Sequence, residues 1–421
     1  MPGRRPSGGL RIAVVAVIAV VLTVTAVVVP AATAVPARAG TAADPGEPPD
    51  GCLTSSTVYD EAQPWALRRL AAQRSWPLAR GYGVLVAVVG SGIDARHAQF
   101  APGQVLPGRS LLPGGGPADS DCDGSGTFVA GLVAARPHPD TSVAGLAPDA
   151  RLLPVRVHQT VEGSDDPADP DLVAAGIEYA RDEGAEVIVV YRPAAGPSDR
   201  LGAAVRSAQE AGAVVVAGGA SDTTGAGGDP YPCAVPEAVA VAAVDGDDAV
   251  VPGSCSGPAV DLAAPGAGLV STSAGSAGAV GHVTVDAGAP GYAAGYVGGA
   301  LALVLSYEPG LTGSAAARRL EETADGPATG DRDDERGWGV VSPYAALSAP
   351  VRADAPAGTS PAGTAFRPYR APQSPTDAAP IAAGVSLAGA AALVLLGAVT
   401  ARAGRRRGWR PGRRAAPEAV R

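Results

Sequence analysis

Short, unbroken apolar runs punctuate this chain at Val84–Val89, Val187–Val190, Ala213–Ala217 and Val239–Val244. None alternates with polar residues, so each predicts a strand buried on both faces of a parallel sheet. Helical spacing fills the intervals. It predicts helices over Gln63–Ala79 (Trp65, Leu67, Leu70, Trp76), Asp171–Arg181 and Asp199–Ala211. A further helix follows Asp121–Gly126 through Phe128, Val129, Leu132 and Val133. Another runs through Ala293, Val297, Ala300, Leu301 and Val304. Strands alternating with helices predict an α/β fold with a mainly parallel sheet flanked by helices.

The two ends of the chain read differently. Arg4, Arg5 and Arg11 precede an apolar run, Ile12–Val29, and small residues follow. Residues 1–39 are therefore expected to be a signal peptide, cleaved after Ala34 or Ala39; the 18-residue apolar run is also long enough to stay as an anchor. Residues 40–62 form a Pro-, Gly- and acid-rich N-terminal extension, and residues 349–380 a Pro/Ala-rich linker. Residues 381–401 contain no charge and are long enough to span a bilayer as one C-terminal transmembrane helix. The Arg-rich tail, 402–421, follows at once and places itself in the cytoplasm by the positive-inside rule. The expectation is a single-pass protein of the cell membrane with its large domain, 63–348, outside the cytoplasm.

Charge sharpens that division. The chain has no Lys, and residues 40–401 carry 20 Arg against 40 acidic residues. So acidic a body argues against nucleic-acid binding. The four cysteines, Cys52, Cys122, Cys233 and Cys255, imply disulfides in an exported chain, with three possible pairings. The acidic segment 162–171 is expected to be a solvated loop, because its prolines break any regular calcium-ligand spacing. No cofactor is expected.

Three segments carry a resemblance. VLVAVVGSGID (84–94), DCDGSGTFVAGLVAA (121–135) and DAGAPGYAAGYVGGALALVL (286–305) are similar, in that order, to the Asp, His and Ser motifs of subtilisin-like serine proteases. CSGPAVDLAAPGAGLVST (255–272) is similar to that family's segment before the nucleophile. With the signal, the N-terminal Cys, the Pro-rich linker and the membrane helix, the arrangement resembles the mycosins, membrane-anchored subtilases of type VII secretion systems. The resemblance implies a three-layer subtilisin-like domain whose last helices fall over Leu311–Ala324 and Gly337–Leu347, a type VII secretion membrane complex as partner, and the pairings Cys52–Cys122 and Cys233–Cys255.

The chemistry is missing from those motifs. Aligned on them, the catalytic Asp falls on Gly90, the His on Ser125, the nucleophilic Ser on Gly291 and the oxyanion Asn on Ser221. A triad needs a hydroxyl, an imidazole to take its proton and a carboxylate to orient the imidazole. The sequence therefore predicts a pseudoprotease serving as a structural or peptide-binding subunit, with an extended peptide as a candidate occupant of the cleft. The alternative is a serine endopeptidase with unusual residues. His97 reads as structural, His138 and His158 lie outside the motif loops, and His282 is the one stand-in base. The retained flanks further predict that the scaffold still places three Cβ atoms correctly, so that restoring the side chains restores weak activity.

Overall fold

The computed structural model describes residues 52, 56–158, 168–192, 194–219, 231–326, 331–350 and 402. The signal, the apolar stretch 381–401 and Ser221 lie outside these, as does most of the acidic loop. Among the described residues no helix is long and apolar enough to cross a membrane.

Seven strands form a parallel sheet in the order β2-β3-β1-β4-β5-β6-β7. They are β1 (Leu85–Gly90), β2 (Arg109–Ser110), β3 (Arg151–Arg156), β4 (Val187–Val190), β5 (Val214–Gly218), β6 (Val239–Val244) and β7 (Val260–Pro265). A two-stranded antiparallel sheet joins β8 (Leu269–Thr272) to β9 (His282–Val285). The apolar runs form buried strands because helices cover both faces. Val86 and Val88 of β1 pack with Phe128 and Leu132 of α3 (Ser125–Ala134) and with Val297 and Leu301 of α6 (Ala293–Tyr307). Ala87 and Val89 pack instead with α4 (Pro170–Asp182) and α5 (Asp199–Glu210) through Val173, Ile177, Leu201 and Val205. Successive residues of one strand thus feed two cores, which is why polar alternation is absent.

Local chemistry sets the helix starts. Asp169 caps α4 by accepting from the Asp171 N–H, with Pro170 at the first helical position. Ser198 caps α5 through the Leu201 N–H, and Thr312 caps α7 (Gly313–Glu322) through the Ala315 N–H.

Two expected helices are shorter than their patterns. Gln63–Ala79 is broken into α1 (Trp65–Arg69) and α2 (Ala72–Ser75), with Ala71 at φ 49° between them. The halves dock on different neighbours. The Trp65 indole donates to the Gly268 carbonyl at 2.9 Å, and that of Trp76 to the Leu146 carbonyl at 3.0 Å. At the other end, only α8 (Pro343–Ser348) is helical within Gly337–Leu347 and the residue after it. Gly337 and Gly339 take φ of 60° and 123°, values that suit glycine, and Val340 bridges to Ala263 and Asp325 instead.

Both disulfides join the pairs expected from the resemblance, Cys52–Cys122 and Cys233–Cys255. The first closes a separation of 70 residues. Replacing Cys52 and Cys122 by Ser is expected to destabilise the domain by about 4 kcal/mol, read from thermal unfolding under oxidising conditions.

Candidate functional site

The site lies at the carboxyl ends of β1 and β4, where open parallel sheets carry their ligands. β1 ends in Gly90, which is buried. β4 ends at Val190, and the next residue, Tyr191, is 3% exposed. α3 begins at Ser125, after Gly124 at φ 88°. A buried Asp121 carboxylate builds that start by accepting from the N–H groups of Gly124 (2.9 Å) and Thr127 (2.8 Å) and the Thr127 hydroxyl (2.7 Å). Burial nevertheless pushes the Asp121 carboxyl up from its ordinary pKa. Gly291 sits in the short 3-10 turn Pro290–Tyr292 that leads into α6.

All three residues singled out in the motifs converge on Tyr191. A Cβ built on Gly90 would lie 2.2 Å from both Cε1 and Oη of Tyr191. The phenol ring therefore occupies the space into which a side chain at position 90 would grow. A Cβ on Gly291 would lie 1.9 Å from the Tyr191 carbonyl oxygen. Ser125 places its hydroxyl 3.0 Å from the Tyr191 hydroxyl.

Hydrogen bonds fix the ring. The Ser91 N–H donates to Tyr191 Oη at 3.0 Å, and Ser91 Oγ lies 3.2 Å from it. Ser91 Oγ also accepts from the Gly126 N–H at 2.9 Å and sits 3.2 Å from Ser125 Oγ. Ser125 in turn donates to Asp123. Three hydroxyls thus form a closed buried group drained by one carboxylate. Burial, helped by Asp123 and Asp121, holds the Tyr191 phenol protonated far above its usual range. Tyr292 stacks edge-on to Tyr191 at 5.9 Å and against Phe128 at 4.9 Å, completing an aromatic wall beside Gly291.

His282, His97 and His138 are committed elsewhere than Ser125. His282, the expected stand-in base, has both ring nitrogens engaged: Nδ1 accepts from the Tyr59 N–H at 3.1 Å, and Nε2 lies 2.7 Å from Gln99 Oε1. Burial first, then the neighbouring His97, lowers its pKa to about 4. His97 contacts the Gly281 carbonyl at 2.7 Å and accepts from the Gln99 N–H, which fits the structural role expected of it. His138 pairs with Asp140 at the surface. His158 is nearer the site than its sequence position indicates, for its N–H donates to the Gly90 carbonyl at 3.1 Å. Among the described residues no group of three His, Cys, Asp or Glu side chains is placed to hold a metal ion.

Tyr191 was not singled out in the sequence. It follows a buried strand in YRPAAG, and nothing local marks it as a site residue. The available signal was indirect: a buried glycine at a strand end leaves volume that a neighbouring strand's next residue can fill.

Residues 81–339 match the family model of the subtilases, Peptidase S8. The chain belongs to the subtilase family. Within that family it is mycosin-like. Mycosin-3 of Mycobacterium tuberculosis is 33% identical over 385 residues, spanning 78% of this chain and 80% of the relative. Mycosin-4 of the same organism is 35% identical over 375 residues, spanning 80% of each. Among solved structures, MycP1 from Mycobacterium smegmatis aligns with a TM-score of 0.59 at 28% identity, over 76% of this chain and 93% of that one. A chain of the periplasmic assembly from the ESX-5 inner membrane complex aligns with a TM-score of 0.61 at 27% identity, over 77% and 93%.

Proposed function

We propose that this subtilase is a catalytically inactive, membrane-anchored subunit of a type VII secretion complex. Gly90, Ser125 and Gly291 stand at its triad positions, with Ser221 at the oxyanion position. One observation carries this: the Tyr191 ring fills the volume beside Gly90, and its carbonyl closes the space beside Gly291. The loss is thus compensated in the packing, as expected where a fold is kept and its chemistry is not. Ser125 is held by Tyr191, Ser91 and Asp123, and a serine hydroxyl needs a paired, oriented base to become nucleophilic.

The partner follows from the relatives, of which one is a component of an ESX-5 inner membrane assembly. The proposed layout is a signal over 1–39, the folded domain outside the cytoplasm, a membrane helix over 381–401 and a cytoplasmic tail. An extended peptide bound by backbone strand addition is the proposed cargo of the cleft, since such binding needs no triad. A tag on the tail is expected to co-purify secretion-complex subunits from detergent-solubilised membranes, unchanged in Ser125→Ala. A tagged chain that purifies alone, while the complex remains intact in the same extract, contradicts the assignment.

A further inference from the structure

The N-terminal arm, residues 56–62, is held to the domain around a single imidazole. Thr57 exchanges backbone hydrogen bonds with His282, at 3.0 and 2.8 Å. The Tyr59 N–H donates to His282 Nδ1 at 3.1 Å. The hydroxyls of Thr141 and Ser142 add bonds to the carbonyls of Tyr59 and Glu61, at 2.7 and 2.9 Å. No arm side chain joins the core: Tyr59 is half-buried with its hydroxyl on the Ala62 carbonyl, and Val58 is 51% exposed.

The surrounding bonds fix the proton on that imidazole. Gln99 Nε2 donates to the carbonyls of Arg136 and Val143, both at 2.8 Å, so its Oε1 is the atom facing His282. His282 must therefore donate from Nε2, which leaves the Nδ1 lone pair for Tyr59. His97 has Nδ1 accepting from the Gln99 N–H, and its Nε2 faces both the Gly281 carbonyl at 2.7 Å and the Gly281 N–H at 3.2 Å, of which the shorter contact sets the proton on Nε2. The two rings lie 6.2 Å apart, and Gln99 links them. Both are neutral, and each Nδ1 faces a backbone N–H. A proton on either Nδ1 would set donor against donor.

We propose that His282, supported by His97 and Gln99, is an acid-sensitive latch that releases the N-terminal arm while the Cys52–Cys122 disulfide keeps it tethered. Neighbouring charges do not offset protonation at His282. His97 and His138 both disfavour its cation; the backbone of Thr57 in the arm favours it, but burial and His97 act more strongly, and Tyr59 and Glu61 meet the ring and its loop through backbone atoms. Asp94 favours the charged form of His97, but it is bonded to Arg96 and to the Gly275 N–H, and burial outweighs it. Arg136 is paired with Asp149, and Asp140 with His138.

The sign follows from linkage. The docked imidazole stays neutral down to about pH 4, whereas a fully solvated one takes up a proton near 6.5. Docking is at full strength above pH 6.5 and weakens as the pH falls towards 4, by at most about tenfold per pH unit because His97 and Gln99 stay on the released ring.

The test uses the full-length chain in detergent micelles. Hydrogen exchange of peptides covering 56–62, corrected for the pH dependence of exchange itself, is expected to speed by at least tenfold between pH 7 and 4. Peptides covering β1 should keep their protection. Isotope-labelled histidine should show His282 charging over the same range. In His282→Asn, a side chain that accepts without titrating, arm exchange should no longer depend on pH, whatever its level at pH 7. Arm protection that persists to pH 3.5 overturns the latch. So does loss of arm and β1 protection together, or the same pH dependence in His282→Asn.

Discussion

Gly90→Asp is expected to destabilise the domain by about 3 kcal/mol or more, and restoring the whole triad is expected to give no peptidase. The cause is steric. The new Cβ meets the Tyr191 ring at 2.2 Å before any carboxylate atom is placed. That ring cannot swing aside, because Ser91, Ser125 and Tyr292 hold it and it is buried. Overpacking a rigid core costs about 1–3 kcal/mol, more when the obstacle is fixed. Gly291→Ser is worse placed, since its Cβ meets a backbone oxygen at 1.9 Å, and backbone cannot change rotamer. With total stabilities of about 5–15 kcal/mol, the variant Gly90→Asp/Ser125→His/Gly291→Ser should be largely unfolded at 37 °C. Urea unfolding of each single variant checks this. A triple variant as stable as the natural chain would contradict the packing described here. The retained motif flanks carry the opposite expectation, that the scaffold still places three catalytic Cβ atoms, and the same unfolding measurements decide between the two.

Tyr191→Ala is expected to cost about 4–5 kcal/mol, and Tyr191→Phe about 1–3 kcal/mol. The alanine loses a fully buried ring and leaves a cavity. It also strands the Ser91 N–H, whose acceptor is the phenol oxygen. The phenylalanine keeps the ring and loses only the hydroxyl's partners, Ser91 and Ser125. The gap between the two variants separates volume filling from hydrogen bonding. A coupled pair makes the point directly: Gly90→Asp should be better tolerated in a Tyr191→Gly background than alone, a non-additive result in a double-mutant cycle. Additive effects would show that the ring and position 90 do not compete for the same space.

The architecture was legible in the sequence because each apolar run is buried on both faces. The four runs became β1, β4, β5 and β6, and the capped amphipathic segments became α4 and α5. Strands β7, β8 and β9 were not singled out. In CSGPAVDLAAPGAGLVST, Gly and Pro interrupt the apolar positions, and β9 (HVTV) is a short, half-exposed run in which polar and apolar residues alternate. The break at Ala71 was invisible because the periodicity runs through it; two tryptophan hydrogen bonds to separate loops decide it. Of the site, the absences were legible and the filling was not. Gly90 and Gly291 are conspicuous against a motif, whereas Tyr191 is distant in sequence and becomes adjacent only through β1–β4 pairing. His282 shows the reverse error. Its place before the third motif suggested a base, but both its ring nitrogens are committed to the arm and to Gln99.

The central claim is that Ser125 is not part of a working triad and that the packing around it leaves no room to rebuild one. The most direct measurement is fluorophosphonate labelling of the purified full-length chain, alongside turnover of an unstructured protein substrate, in the natural chain and in Ser125→Ala. The account predicts no labelled serine and no turnover above background in either. A single labelled residue at Ser125, with turnover that Ser125→Ala abolishes, would contradict it and make this chain a working peptidase.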